Sequence, residues 1–257
     1  MFCRSGNLTK EHIWPDWARK LFDESGISGH NEVHASFMGK SRTLTGSPRH
    51  LSRQGSTMTK RIRVVCATCN NTWMSALEGQ AKQILMPLIT GQEIVLDETQ
   101  QKLLTEWVVM KCMVAEQNVP NDAVIPYEDR ARFKAERAIP RYFEIWITSH
   151  ISKKWQGAYL RHCATMSRSL SVRPEGKNVS TIALGFGRLF IYVMACRIDG
   201  MLLSERIGVH PMVLKLFPRG GKALPIPFMR SLTDADCDHM ANSMEMLVQN
   251  EKVLWHP

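Results

Sequence analysis

Two short strings carry most of the reactive side chains. The first, LTKEHIWPDW, sets Glu11 directly beside His12, and the second, CATCNNTWM, sets Cys66 and Cys69 around two intervening residues with Asn70 and Asn71 next. A Cys-x-x-Cys spacing lets two thiolates converge on one tetrahedral Zn2+ at about 2.3 Å. Cys3 is a candidate third thiolate. A redox pair is the competing use of the same spacing, but the flanking residues do not form a thioredoxin-like turn. The other cysteines, Cys112, Cys163, Cys196 and Cys237, stand singly and are expected to be small buried hydrophobes. Seven cysteines with one close pair make no disulfide framework, so reducing cytoplasm is the expected compartment.

Elements to position these groups can be placed from pattern. KRIRVVC, residues 60–66, alternates as a strand does and leads into the cysteine pair. Trp73, Leu77, Ala81, Ile84 and Leu85 recur at helical spacing, which predicts a helix over 70–85 that Pro87 stops. A short helix is expected over 15–22, with Trp17, Leu21 and Phe22 facing inward. Trp14, Trp17 and Trp73 are expected to hold two strands against the helix. Asp97 and Gln100 form a capping box ahead of a long helix through Ala115, and a further helix is expected over 128–138. Strands follow over 142–148, 156–163, 179–186 and 189–197, the last two joined across Gly187 as a hairpin. Lys153, Lys154 and Trp155 read as a turn with a core Trp, PRGGKALPIP as a loop, HPMVLKLFP and PIPFM as buried edge segments, and 234–249 as a terminal helix. The fold class expected is α+β.

Charge is uneven along the chain. Lys plus Arg exceeds Asp plus Glu by 33 − 24 = 9, and from Val33 to Leu77 no acidic residue occurs. Lys40, Arg42, Arg49, Arg53, Lys60, Arg61 and Arg63 lie in that stretch, which suits a polyanion. Its middle, GKSRTLTGSPRHLSRQGS, is rich in Gly, Ser and Thr and is expected to be an exposed loop able to contact phosphate. At 257 residues and 44% hydrophobic, the chain can bury the core of one large or two small domains, which excludes disorder and collagen-like repeats. No run of eighteen uncharged apolar residues occurs and the N-terminus is charged, so neither a membrane span nor a secretory signal is expected.

Taken in order, Cys3, LT-x-EHI-x-P-x-W, and VVC-x-x-CNN-x-W resemble the HNH endonucleases, the zinc-braced branch of the ββα-metal nucleases. The resemblance covers residues 1 to 85, and its WPDW and NNTWM details are similar to a bacterial and phage-associated variety found in mobile elements. It implies an HNH-like ββα-metal unit over 1–88; beyond it, the pattern over 89–257 is expected to form a helical segment and an antiparallel sheet domain that positions substrate, dimerises or regulates. It implies DNA as partner and phosphodiester hydrolysis as activity. By position His12 corresponds to the general base on water, since neutral imidazole accepts a proton near neutral pH. Glu11 and Asn70 correspond to the ligands of a catalytic Mg2+ or Mn2+, with Asn71 the alternative to Asn70. Cys3, Cys66 and Cys69 correspond to ligands of a structural Zn2+.

Two departures from the family follow. Relatives pair their first cysteine, whereas here Cys3 stands alone. The fourth zinc ligand is then a distant histidine such as His34 or His50, a water, or a residue upstream of Met1, or the zinc has been lost. Many relatives also carry an Asn shortly before the knuckle that orients the base histidine, and KRIRVVC has none. Either a backbone carbonyl orients His12 or activity is weak or absent. Neighbouring strand side chains face opposite ways, so Glu11 and His12 share a site only if the strand breaks there. The alternatives are a non-catalytic zinc-knuckle nucleic-acid-binding protein and an interaction protein whose N-terminal unit only docks the sheet.

Overall fold

The computed structural model describes residues 1–21, 30–40, 43–44, 49–53, 60–167, 175–218, 222–226 and 230–249; between 30 and 53 it is the backbone that is described. Near the N-terminus, β1 (Leu8–His12) precedes a 3-10 helix at Asp16–Leu21. Strands β2 (His30–Lys40), β3 (Thr43–Leu44) and β4 (Arg49–Arg53) follow, then β5 (Arg61–Cys66). A three-residue helix α1 (Ala67–Cys69), a π turn (Asn70–Met74) and α2 (Ser75–Thr90) run on without a break. Next come β6 (Ile94–Leu96), α3 (Glu98–Glu116) and α4 (Tyr127–Glu136). The rest is β7 (Phe143–Ser149), β8 (Tyr159–Thr165), β9 (Val179–Phe186), β10 (Leu189–Cys196), β11 (Leu214–Phe217), β12 (Leu224–Ile226) and α5 (Asp234–Gln249). The fold is α+β, and no helix among the described residues is long and apolar enough to cross a membrane.

A single sheet, ordered β11-β7-β10-β9-β8-β2-β3 with β4 on β2, forms the centre. Its pairs are antiparallel except β2 with β8. Alternation sorts its side chains into two cores. Leu189, Ile191, Val193 and Ala195 of β10 face a core built with α2 and α3, while Phe190, Tyr192, Met194 and Cys196 face one built with α5. The sheet is therefore covered on both faces, which explains the unbroken burial of β9 and β10. The first core takes buried residues from Phe2 to Ile226, so it spans both sides of 88/89, and α2 itself runs through that position. Trp14 stacks on Phe186 of β9 at 4.8 Å, fastening the N-terminal strands to the sheet.

Several expectations need correction. Pro87 lies inside α2, not beyond its end. Its missing N–H removes one helical bond, yet Leu88 and Ile89 are buried in the core and hold the last turn until Gly91, at φ 80, caps it. Leu21 is 41% exposed because a 3-10 helix turns every three residues and sends Trp17 and Leu21 to different faces. Phe22 lies outside the described residues. Parts of the expected loop over 39–56 are strand, since β3 and β4 pair with the long β2. The loop expected at 218–227 contains β12, which pairs with β6. Trp155 is buried as expected, and the turn that carries it fits because position 185 is glycine: a Cβ there would lie 1.9 Å from the Trp155 carbonyl oxygen.

Candidate active site and metal centre

β1 and β5 pair antiparallel, with Lys10 opposite Arg63, Glu11 opposite Ile62 and His12 opposite Arg61, after an irregularity between Thr9 and Lys10. Backbone bonds from Ile13 to the Lys60 carbonyl and from Ala67 to the Asn7 carbonyl close the two ends. Ile62 turns inward between the exposed Arg61 and Arg63, as period-two alternation requires, while the buried Val65 lies beyond the irregularity, where the register shifts. Lys10, His12, Arg61 and Arg63 thus belong to the outward side of the strand pair, with Lys10 exposed and His12 half-buried.

The cysteine pair follows β5 directly, and the segment ahead of β1 brings Cys3 to it. The sulfurs of Cys3 and Cys66 are 3.1 Å apart, those of Cys69 and Cys3 3.7 Å, and the Cys69 N–H donates to Cys66 Sγ at 3.3 Å. Tetrahedral zinc with bonds of about 2.3 Å sets its sulfurs about 3.8 Å apart, so this cluster lies close to what the ion demands. All three sulfurs fall within 4.8 Å of one another, and no fourth Cys, His, Asp or Glu joins them among the described residues. The side chains of His34 and His50 lie outside that description. Hydrogen bonding from Cys66, then from the Ser5 backbone, lowers the Cys3 thiol to about 7, whereas burial raises Cys69 to about 11. Cys3 is accordingly the readier of those two to become a thiolate.

Asn70 opens the π turn, in which the Ser75 N–H reaches back to the Asn70 carbonyl. Its side-chain amide donates to Thr9 Oγ1 at 3.1 Å and, more weakly, to the Lys10 carbonyl at 3.5 Å. Since Lys10 O can only accept, the nitrogen is the atom facing β1, and the amide oxygen is left for a cation. Thr9 in turn donates to the Val65 carbonyl at 3.0 Å. The start of the helical run is therefore tied to the strand that carries His12. Asn71, one residue on, is exposed.

Strand β1 stays regular through its last two residues, so Glu11 and His12 point to opposite faces. The imidazole is one-fifth exposed, with Nε2 buried without a hydrogen-bond partner and 3.8 Å from Asp16 Oδ1. Burial, then Arg61 across the strand pair, and finally Lys111 hold its pKa below the ordinary histidine value, against Asp16 and Glu11. Glu11 is buried, and its Oε1 accepts from Lys111 Nζ at 2.8 Å. The same ammonium donates to the His12 carbonyl at 3.1 Å and lies 2.7 Å from Glu78 Oε2. Burial alone would push a lysine pKa down; Glu78 and Glu11 outweigh it, and the shift is upward.

The structure thus brings together Cys3, Cys66 and Cys69, and separately Asn70 with the strand of His12, while Glu11 turns to Lys111. Of the expected basic contacts, Arg61 and Arg63 are exposed beside His12 and Lys60 adjoins them. Lys40, Arg49 and Arg53 lie on β2 and β4, whose side chains are not described, and Arg42 lies outside the described residues. Sequence reasoning missed Lys10, Asp16, Glu78 and Lys111. Lys10 could have been found two positions before His12 on the same strand face. Lys111 had a signal too, a lone charge in the apolar run WVVMKCMVA. No family model matches the chain, and no curated protein or solved structure matches it either.

Proposed function

We propose that this chain is a metal-dependent endonuclease of the HNH kind that hydrolyses DNA phosphodiester bonds, with His12 as general base. The observation that carries this reading is the reach of Asn70 from the residue after the knuckle to Thr9 and Lys10, three and two positions from His12. Cys3, Cys66 and Cys69 support it as the ligands of a structural Zn2+ bracing the join of β5 and the helix. Lys10 opposite Arg63 supports it further, because like charges facing across a strand pair repel and a phosphate between them relieves the cost.

In this reading Arg61, Arg63 and Lys10 take the phosphate oxygens, and His12, neutral near pH 7, accepts a proton from water. The resulting hydroxide attacks phosphorus as the bond to the departing sugar oxygen breaks. Asn70, through its amide oxygen, would hold a Mg2+ or Mn2+; Glu11, the other ligand the resemblance implies, faces Lys111 on the opposite side of β1 from His12. That ion supplies neutralisation of charge on the phosphate and leaving oxygen. A second reading, a non-catalytic zinc-knuckle nucleic-acid-binding protein, is favoured by the 2.8 Å bond between Lys111 and Glu11.

The test is nicking of supercoiled plasmid by the full chain with Mg2+ or Mn2+. Wild type is expected to nick, and His12→Ala to lose about 10²- to 10⁴-fold in rate with an unchanged melting temperature. Folded wild type that leaves DNA intact across the divalent series ends this reading, and DNA binding with a steep salt dependence would then support the second. Elemental analysis is expected to find about one zinc per wild-type chain and a small fraction of that in Cys66→Ser. Equal zinc in the two proteins removes the metal from the cysteine cluster.

A further inference from the structure

We propose that Lys111 is a positioning residue for His12, a cation delivered from α3 that fixes the backbone of the base and the two elements meeting at the site. This inference rests on the reading of His12 as general base. An ammonium has three N–H donors and no acceptor. Lys111 Nζ has three acceptors around it: Glu78 Oε2 at 2.7 Å, Glu11 Oε1 at 2.8 Å and the His12 carbonyl at 3.1 Å. Every donor is matched, and the side chain is 2% exposed.

The three acceptors come from the elements that matter. The His12 carbonyl belongs to the residue whose imidazole is the base, so the bond to it restrains the peptide plane from which that side chain departs. Glu11 is the neighbouring residue of β1, and its carboxylate pulls the opposite face of the strand onto α3. Glu78 lies in the first turn of α2, directly beyond the π turn that Asn70 opens. One nitrogen thereby sets β1 against the helical run, which is the relation His12 needs to Asn70. Lys111 itself cannot drift, because residues 104–116 of α3 are buried throughout. The strand leading into the knuckle, KRIRVVC, carries no Asn, and a lysine far along the sequence takes over the task of restraining the base. This also assigns the segment after residue 88 a part in the site: without α3 the strand end carrying His12 has no such anchor.

A purely structural role predicts lost stability and nothing more, so the test needs readouts that separate the two. The wild-type nest holds one ammonium and two carboxylates, formally 1 − 2 = −1; Lys111→Met with Glu78→Gln keeps −1 and retains Glu11. In that double variant kcat for plasmid nicking is expected to fall about 10- to 100-fold with KM within about twofold, the pattern of a displaced catalytic group rather than lost substrate binding. In metal-free protein, the His12 ring resonances are expected to shift and broaden while those of the other eight of the nine histidines stay in place. Lys111→Arg keeps the charge but cannot put one nitrogen on three acceptors, and it is expected to move kcat and the His12 resonances in the same direction by less.

Unchanged kcat and unchanged His12 resonances in a folded variant overturn the proposal. If the double variant does not fold, Lys111→Arg decides, and wild-type values there overturn it equally. Wild type that cuts no DNA while the His12 resonances still respond removes the nuclease reading and upholds the positioning of the imidazole.

Discussion

Among the buried charged residues of helix α3, Lys111 and Glu116 lie five positions apart, and each sits in a different kind of surrounding. Lys111 faces the N-terminal strands, where its partners lead to a half-buried histidine on the basic side of the molecule. Glu116 faces the sheet. Its carboxylate accepts from the backbone N–H groups of Val124 and Ile125 and lies 3.6 Å from the Arg161 guanidinium of β8. Arg161 also donates to the Asp122 carbonyl; burial opposes its charge, and Glu116 together with Cys163, Tyr159 and Asp122 nonetheless holds the guanidinium pKa above its ordinary value. Both sites satisfy buried ions with several donors or acceptors. Only the first touches the residue proposed as general base, so on that proposal the same device holds the fold in one place and aims a side chain in the other.

If that distinction is right, breaking the sheet-side pair harms stability and spares chemistry. Arg161→Met leaves Glu116 buried without its cation and is expected to cost about 3–5 kcal/mol in urea unfolding. Nicking at a temperature where the variant is folded should remain within a few-fold of wild type. A loss of activity as large as that of His12→Ala would show that the two sites are not separable.

The histidines sharpen the same contrast. His150 and His162 are fully buried in the sheet region and burial lowers both to about 4, so the folded protein keeps them neutral where the unfolded chain protonates them. Between about pH 6.5 and 4 the unfolded state binds more protons, so stability is complete above about 6.5 and falls as pH drops toward 4. The loss should approach about 3 kcal/mol per histidine, read from urea midpoints across that range. His162→Gln is expected to flatten the slope by about half. An unchanged slope would mean that His162 is not kept neutral by the fold.

The smallest effect belongs to a surface ion pair. Lys154 contacts Asp238 at 2.7 Å but is 63% exposed, so Lys154→Ala should change stability by less than about 1 kcal/mol. Trp155, whose indole N–H donates to the same Asp238 at 2.9 Å, is the residue that anchors this turn. A large loss in Lys154→Ala would place more weight on the pair than its exposure allows.

Elements that depend on nearby residues were legible in advance. The capping box of Asp97 and Gln100 opens α3 with both bonds present, at 3.0 and 2.8 Å. The β9–β10 hairpin turns at Gly187, with φ 59, and α5 covers the span its pattern implied. The strand ahead of the knuckle and the convergence of three cysteines were legible as well. Less legible was anything that depends on a distant partner. The segment 39–56 reads as polar loop because what decides its strands is pairing with the long β2, which itself lies on the edge of β8. Pro87 reads as a stop because a local rule cannot weigh the core contacts of Leu88 and Ile89.

The candidate site divides along the same line. Residue spacing and backbone period determined the Cys66–Cys69 pair, the strand leading into it and the helical run that Asn70 opens, whereas Cys3 reaches that pair across 63 residues and the strand bearing Glu11 and His12 was implied by the family resemblance. Only the tertiary structure decided that Glu11 turns from His12 toward Lys111, that Lys111 gathers Glu78 and the His12 carbonyl, and that one core runs across the position where two domains were expected to part. A buried ammonium must find its acceptors wherever the fold brings them, and here two of the three lie about a hundred residues upstream in the chain.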